Sequence, residues 1–183
     1  MNSVHTRKAN AWPFADGFHR MIFSIVKSLS LGIWLGALIM LGYAVAGPIF
    51  QQLPSKTLAG AVNGVILARM NRMEWVCAVI ALASSIILLI LNWNDGSRTL
   101  RLAETAAIFI AMILLWIYAG SITDRMTALR STIGDFDHPQ QTAQYIESKS
   151  EFDGLHRRYT AFVSANMILI LGGFVLSVVN SKK

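Results

Sequence analysis

Apolar positions along the chain are gathered into four long runs, and most polar positions lie between them. The runs cover about residues 28–50, 75–92, 102–122 and 160–179. Each run is close to the roughly 20 residues that a helix needs to cross the hydrocarbon layer of a bilayer. The pattern predicts an all-α fold, an integral membrane up-down four-helix bundle, whose spans are numbered one to four in chain order.

The segment before span one has a different pattern, in which aromatic and basic residues are interleaved at helical spacing. Phe14 and Phe18 lie four residues apart, and Arg20 follows closely. This arrangement is typical of a short amphipathic helix that lies in the membrane interface. We therefore predict two units, a tail with an interfacial helix over residues 1–27 and the four-span bundle over residues 28–183.

The same region has a second interpretation. A basic leader, an apolar run and small residues ending at Ala46 together resemble a secretory signal with its cleavage site. The long polar leader and the length of the run favour a retained membrane span. Cleavage after Ala46 is the alternative.

Spans two, three and four are predicted to extend beyond the bilayer at one end, which we call side B. No strong helix breaker occurs between Leu58 and Asn92, and Ser55 is well placed to cap the start of this helix. A helix of about 38 residues is about 57 Å long, against about 30 Å of hydrocarbon. Side B holds the first and third loops, and side A holds both termini and the second loop.

The composition agrees with a membrane protein. The chain is 54% hydrophobic and 14% charged, with a mean hydropathy of +0.50, whereas soluble domains are roughly 25% charged. The net charge of +6 comes from basic residues that flank the apolar runs. We therefore predict contacts with the lipid bilayer and no nucleic-acid partner.

The distribution of basic residues indicates an orientation. Lys and Arg are equally divided between the two sides, and the deciding feature is the pair Arg98 and Arg101 beside the very short second loop. Because short cytoplasmic loops are enriched in basic residues, we predict that side A is cytoplasmic. The expected location is a cell membrane, the inner membrane of a bacterium, with both termini in the cytoplasm.

Polar residues gather where the spans leave the membrane at side B. In span four, His156, Tyr159 and Asn166 recur at helical spacing, and lipid-exposed helices do not carry such residues without partners. The predicted ligand-binding residues are Asn63, Arg69, Asn71, Arg72, Glu74, His156, Tyr159 and Asn166. The alternative is a network of polar pairs that only ties the helices together.

The sequence has no motif that indicates an enzyme, a cofactor or a metal. It lacks a nucleophile elbow, a P-loop, an HExxH and a CxxC. Of the four histidines, only His156 is expected near the inward face of a span, so a haem with two histidine ligands is not predicted. Met70 and Met73 form an MxxM pattern, which is too weak to predict copper. We predict a non-enzymatic protein with no cofactor.

Gly32 and Gly36 in span one are separated by three residues, which lets two helix backbones approach closely. These glycines are predicted to mediate helix packing, in a homo-oligomer or in a larger membrane complex.

Three stretches of the chain resemble the transmembrane protein 205-like family, also called domain of unknown function 4149. They are WLGALIMLGYAVAGPIF, LAGAVNGVILARMN and FDGLHRRYTAFVSAN. The matching residues are Trp34, Gly36, Pro48, Phe50, Ala59, Gly60, Phe152, Leu155, His156 and Asn166. The resemblance covers about residues 29–176. It implies a four-span integral membrane protein and no settled activity.

Two functional hypotheses follow from these patterns. In the first, the bundle binds or passes a small molecule or ion at its polar end. In the second, the protein is a structural or accessory subunit that packs on a larger membrane complex.

Overall fold

The computed structural model describes residues 13–93, 96 and 98–181, and this part of the chain is almost wholly helical. The helices are α1 Pro13–Met40, α2 Ala46–Gln52, α3 Lys56–Leu91, α4 Arg98–Trp116, α5 Thr123–Ile133 and α6 Ala143–Ser181. Two π-helical segments complete the set: Leu41–Val45 joins α1 to α2, and Ile117–Ile122 joins α4 to α5. The predicted tail before residue 13 and most of the second loop lie outside the described residues.

These elements form four long helices, each long and apolar enough to cross a membrane. Span one consists of α1 and α2 with the π segment between them, and span two is α3. Span three consists of α4, the second π segment and α5, and span four is α6. The prediction of an all-α, multi-pass four-helix bundle is confirmed. The predicted interfacial helix, so far as it is described, is continuous with span one.

Each span packs against two others. Consecutive spans are neighbours, and span four packs back on span one, so the four helices surround a common interior. That interior is filled by buried apolar side chains from all four spans, among them Leu31, Trp34, Ala78, Ala81, Ile108, Ala111, Leu115 and Ile170. The outer surface also carries many large apolar side chains, as expected for helices that face lipid.

The lengths of the spans agree with the predicted extension beyond the bilayer. Span two has 36 residues, which at 1.5 Å per residue is about 54 Å, well above the hydrocarbon thickness of about 30 Å. Beyond the apolar part, α5 packs against the first half of α6. The helices therefore continue past their apolar runs toward side B.

Side chains of the first and third loops cap the start of span two. Ser55 accepts a hydrogen bond from the Leu58 N–H at 3.1 Å, as its position predicts. Asp137 accepts from the N–H groups of Lys56 at 2.7 Å and Thr57 at 3.1 Å. These are first-turn N–H groups without partners inside their own helix. A carboxylate there also interacts favourably with the helix dipole.

This contact makes the stability of the bundle depend on pH. The backbone N–H groups of Lys56 and Thr57 lower the pKa of Asp137 below its ordinary value of 3.8. A depressed folded-state pKa means that the carboxylate stabilises the fold above pH 3.8 and that this stabilisation is lost as the pH falls through the folded-state pKa.

We therefore expect Asp137→Asn to lower the thermal midpoint at neutral pH and to weaken the fall of the midpoint on acidification below about pH 5. The measurement is thermal unfolding of the purified protein in detergent across this pH range. Asp124→Asn, at an exposed position on α5, is the matched control. An unchanged acid dependence in Asp137→Asn would contradict the assigned role.

Candidate functional site

A cluster of polar side chains lies in the interior of the bundle, and each span contributes one residue to it. The residues are Trp34 of span one, Glu74 of span two, Tyr118 of span three and Asn166 of span four. All four are fully buried, with no exposed surface. We call these four residues the central cluster.

Hydrogen bonds connect the central cluster into a chain. Trp34 Nε1 donates to Glu74 Oε2 at 3.1 Å, and the Tyr118 hydroxyl donates to the same oxygen. Asn166 Nδ2 donates to the Tyr118 hydroxyl at 2.9 Å. Glu74 Oε2 is therefore held by two neutral donors. One of them, the Tyr118 hydroxyl, is itself held by Asn166 of span four.

The position of Glu74 on span two prevents its carboxyl group from reaching solvent. Its helical neighbours on the same face, Asn71, Ala78 and Ala81, are also buried, so this face points into the bundle. Long charged side chains near helix ends can extend toward the membrane surface. Glu74 does not extend in this way, because its Oε2 is fixed by donors from spans one and three.

The π-helical segment of span three carries Tyr118. A π turn leaves a local irregularity in the helix, and such turns occur frequently at functional sites. The Thr123 hydroxyl donates to the Tyr118 carbonyl at 2.7 Å, which satisfies a backbone acceptor in the widened turn. The irregular backbone is thus compensated, and the tyrosine ring remains fully buried.

Several buried oxygens around the central cluster have no hydrogen-bond partner within the described part of the chain. They are Asn71 Oδ1, Glu74 Oε1, the Tyr159 hydroxyl and Asn166 Oδ1. The Tyr159 ring packs edge to face on Tyr118, with ring centres 5.5 Å apart. Asn71 lies one helical turn before Glu74. Because buried polar groups in proteins are nearly always hydrogen-bonded, this group of oxygens requires an explanation.

A second polar layer crosses the bundle nearer to side A. Lys27 Nζ forms an ion pair with Glu104 Oε1, and Asn180 Nδ2 donates to Glu104 Oε2 at 2.8 Å. All three side chains are at most 2% exposed. We call them the Glu104 layer. Fourteen residues of span three separate Glu104 from Tyr118, which corresponds to about 21 Å along the helix.

Most of the buried side chains between the two layers are apolar. They include Ile108, Ala111 and Leu115 of span three, and Ser84 of span two and Ser177 of span four are buried among them. The bundle therefore contains two separate polar layers and no continuous polar contact between them among these residues.

A family model described as Domain of unknown function (DUF4149) matches residues 29–133. The match covers more than half of the chain. The chain belongs to the DUF4149 family. Neither the curated proteins nor the solved structures give a significant match. The matched region includes Trp34, Glu74 and Tyr118 and ends before span four, so the resemblance seen after residue 133 stays a prediction.

In this DUF4149 protein, the predicted ligand-binding residues fall into two groups. Glu74 and Asn166 belong to the central cluster, and Asn71 and Tyr159 are buried beside it. The side chains of Arg69, Arg72 and His156 are exposed, and Asn63 is half-buried closer to side B. Ligand binding by any of these residues stays a prediction.

The predicted glycine pair also separates. A Cβ atom added at Gly32 would lie 3.7 Å from Phe174 Cε2, so Gly32 packs against span four. A Cβ added at Gly36 would have no atom within 4 Å outside its own helix, because Gly36 faces outward.

Sequence reasoning missed Trp34 as a donor, Tyr118 and the whole Glu104 layer. A signal was present for span three, because Glu104, Ile108, Ala111, Leu115 and Tyr118 recur at alternating steps of four and three. That spacing places all five on one helical face. An ionisable residue inside a span is by itself a reason to follow such a face.

The hydrogen bonds of the central cluster give a stability prediction. Tyr118→Phe removes one donor to Glu74 and the acceptor of Asn166 Nδ2, so we expect it to lower the free energy of unfolding by about 1–2 kcal/mol. Tyr43→Phe is the matched control, because Tyr43 is 87% exposed. Reversible unfolding in mixed micelles measures both variants. Equal stabilities of the two variants would show that the Tyr118 hydroxyl contributes nothing.

Proposed function

We propose that this DUF4149 protein binds a small polar molecule or ion inside its bundle, at the central cluster. The observation that carries the proposal is Glu74, a carboxyl with no exposed surface whose Oε1 has no hydrogen-bond partner among the described residues. Burial of a polar group without compensation costs several kcal/mol in a medium that cannot form hydrogen bonds. A protein that retains such a group in a membrane span has a use for it.

The surroundings of Glu74 support binding over a purely structural role. A buried carboxyl that only ties helices together is expected to use both of its oxygens, as Glu104 does with Lys27 and Asn180. Here Glu74 Oε2 is held by two donors while Oε1, Asn71 Oδ1 and Asn166 Oδ1 have none. We assign Asn71, Tyr159 and Asn166 to the proposed site together with Glu74.

The proposed location is the inner membrane of a bacterium, with side A and both termini in the cytoplasm. Arg98 and Arg101, beside the second loop, support this orientation through the preference of short cytoplasmic loops for basic residues. This orientation is tested by placing single cysteines in the second and third loops and labelling them chemically in intact cells.

A ligand screen tests the binding proposal. We expect one ligand from a panel of metal ions, ammonium compounds, anions and uncharged polar solutes to stabilise the detergent-solubilised protein. At about 100 times its dissociation constant, a ligand adds about 2.7 kcal/mol to the free energy of unfolding. We expect Glu74→Gln to abolish this gain, because the substitution removes the charge and one acceptor.

Glu147→Gln, at an exposed position on α6, is the matched control and should keep the full gain. If Glu74→Gln does not fold, Asn71→Ala replaces it, because Asn71 is buried beside Glu74 and its Oδ1 has no hydrogen-bond partner among the described residues. A gain that persists in both site variants, or no gain from any ligand, would contradict the proposal.

A second function, as an accessory subunit or homo-oligomer, is favoured by the outer face of span one. Gly36 faces outward with open space around it, and Tyr43 two turns later is 87% exposed. Small outward-facing residues let another helix approach closely in a membrane. In the part of the chain that the structure describes, no neighbouring helix has an atom within 4 Å of a Cβ added at Gly36.

If this face binds another chain, Gly36→Leu should abolish the association and leave the stability of the isolated bundle unchanged. Crosslinking in native membranes followed by gel electrophoresis measures the association. Gly172→Leu is the matched control, because Gly172 on α6 is also exposed with no atom within 4 Å of an added Cβ. An unchanged crosslinking pattern in Gly36→Leu would contradict this second function.

A further inference from the structure

Among the described residues, Glu74 and Glu104 are the buried carboxyl groups, and they are held alike at Oε2 but differ at Oε1. The Oε2 atom of Glu104 accepts a hydrogen bond from Asn180 Nδ2. The Oε2 atom of Glu74 accepts two, from Trp34 Nε1 and from the Tyr118 hydroxyl. All of these donors are neutral. At Glu104, Oε1 contacts the ammonium group of Lys27. At Glu74, Oε1 has no partner within the described residues.

Charge balance distinguishes the two sites further. Glu104 is neutralised by Lys27, and both side chains are at most 2% exposed. No basic side chain contacts Glu74 in the part of the chain that the structure describes. The titratable groups near Glu74 are Tyr118 of span three, Tyr159 of span four and Cys77 of span two. All three are neutral or acidic groups, so none supplies a positive charge.

We infer that the ligand of Glu74 is a small monovalent cation, the free counterpart of the Lys27 ammonium group at Glu104. The inference rests on the proposed function and names its ligand class. One carboxylate balances one positive charge. A divalent ion would keep an uncompensated charge in the membrane interior, which is strongly unfavourable.

The neutral groups around Glu74 fit this ligand class. An amide oxygen can accept hydrogen bonds and can coordinate a cation, and the amide oxygens of Asn71 and Asn166 lack partners among the described residues. Carbonyl and carboxyl oxygens are the ligands that alkali and other hard cations prefer, whereas Zn²⁺ and copper prefer nitrogen and sulfur. Among the described residues, no three His, Cys, Asp or Glu side chains lie close enough together to hold a metal ion.

The first experiment is thermal unfolding of the intact, detergent-solubilised protein at constant ionic strength and pH. The probes are Na⁺, K⁺, ammonium and methylammonium chloride, with choline as a bulky cation and acetamide as an uncharged solute. We expect at least one small cation to raise the midpoint saturably, by roughly 5–10 °C at about 100 times its dissociation constant. Choline and acetamide should have no effect, and Glu74→Gln should show no rise with any probe.

The second experiment uses Glu104 as an internal calibration. Lys27→Ala leaves Glu104 without its ammonium group, so we expect a lowered midpoint that ammonium or methylammonium partly restores and that choline does not. In Lys27→Ala/Glu104→Gln, both charges are removed. This double variant should be more stable than Lys27→Ala and should gain no more from ammonium than the wild type does.

The outcomes separate the inference from the proposed function. Stabilisation by acetamide or another uncharged solute that requires Glu74, without any cation effect, would overturn the inference and leave the proposed function intact. A Glu74-dependent change that follows pH alone would assign the position to a proton and would also overturn it. Rescue at Glu104 without any cation effect at Glu74 has the same consequence. No effect of any of these probes on the wild type would overturn the inference, and only silence across the wider ligand panel would also contradict the proposed function.

Discussion

The structure depends on one constraint, which is that a carboxyl group buried inside a helical bundle must find its partners inside the protein. Water is not available there, and each uncompensated polar group costs several kcal/mol. Glu74 and Glu104 impose this requirement at two levels of the bundle. Their donors come from spans one, three and four, so the relative positions of the helices are fixed by hydrogen bonds as well as by apolar packing.

Apolar packing alone would not specify this bundle well. Lipid tails are as apolar as leucine, so burial of apolar side chains gives little preference for one helix arrangement over another within the membrane. The two polar layers supply that preference. A rotation of span three that separated Tyr118 from Glu74 would also move Glu104 away from Lys27, because both residues lie on the same face. The two layers therefore select the same arrangement of helices.

Most of the fold could be predicted from the sequence, but only part of the candidate site. The four spans follow from hydropathy and length, and the Ser55 cap follows from the residue type before an uninterrupted helix. Asn166 and Tyr159 were found through their spacing. His156 has the same apparent spacing, but at 3.6 residues per turn it lies about 80° around the helix from Asn166, and its side chain is exposed.

The partners of Glu74 were harder to predict for a physical reason. A tryptophan or tyrosine inside an apolar run is ordinary packing material by composition, and its polar atom becomes significant only when a neighbouring helix brings an acceptor to it. That proximity depends on the tertiary arrangement. The pairing of Lys27 with Glu104 has the same origin, since it joins spans one and three, which are not adjacent in sequence.

The order in which the chain is synthesised gives the Glu104 layer a further consequence. Lys27 belongs to the first span to emerge, whereas Glu104 and Asn180 belong to the third and the last. During synthesis, the ammonium group of Lys27 is therefore present before the carboxylate of Glu104. That carboxylate is in turn present before the amide of Asn180, its second partner. Span four also delivers Asn166 to the central cluster. Arrival of the last helix therefore completes both layers in one step, and a chain truncated before it leaves both carboxyl groups incompletely bonded.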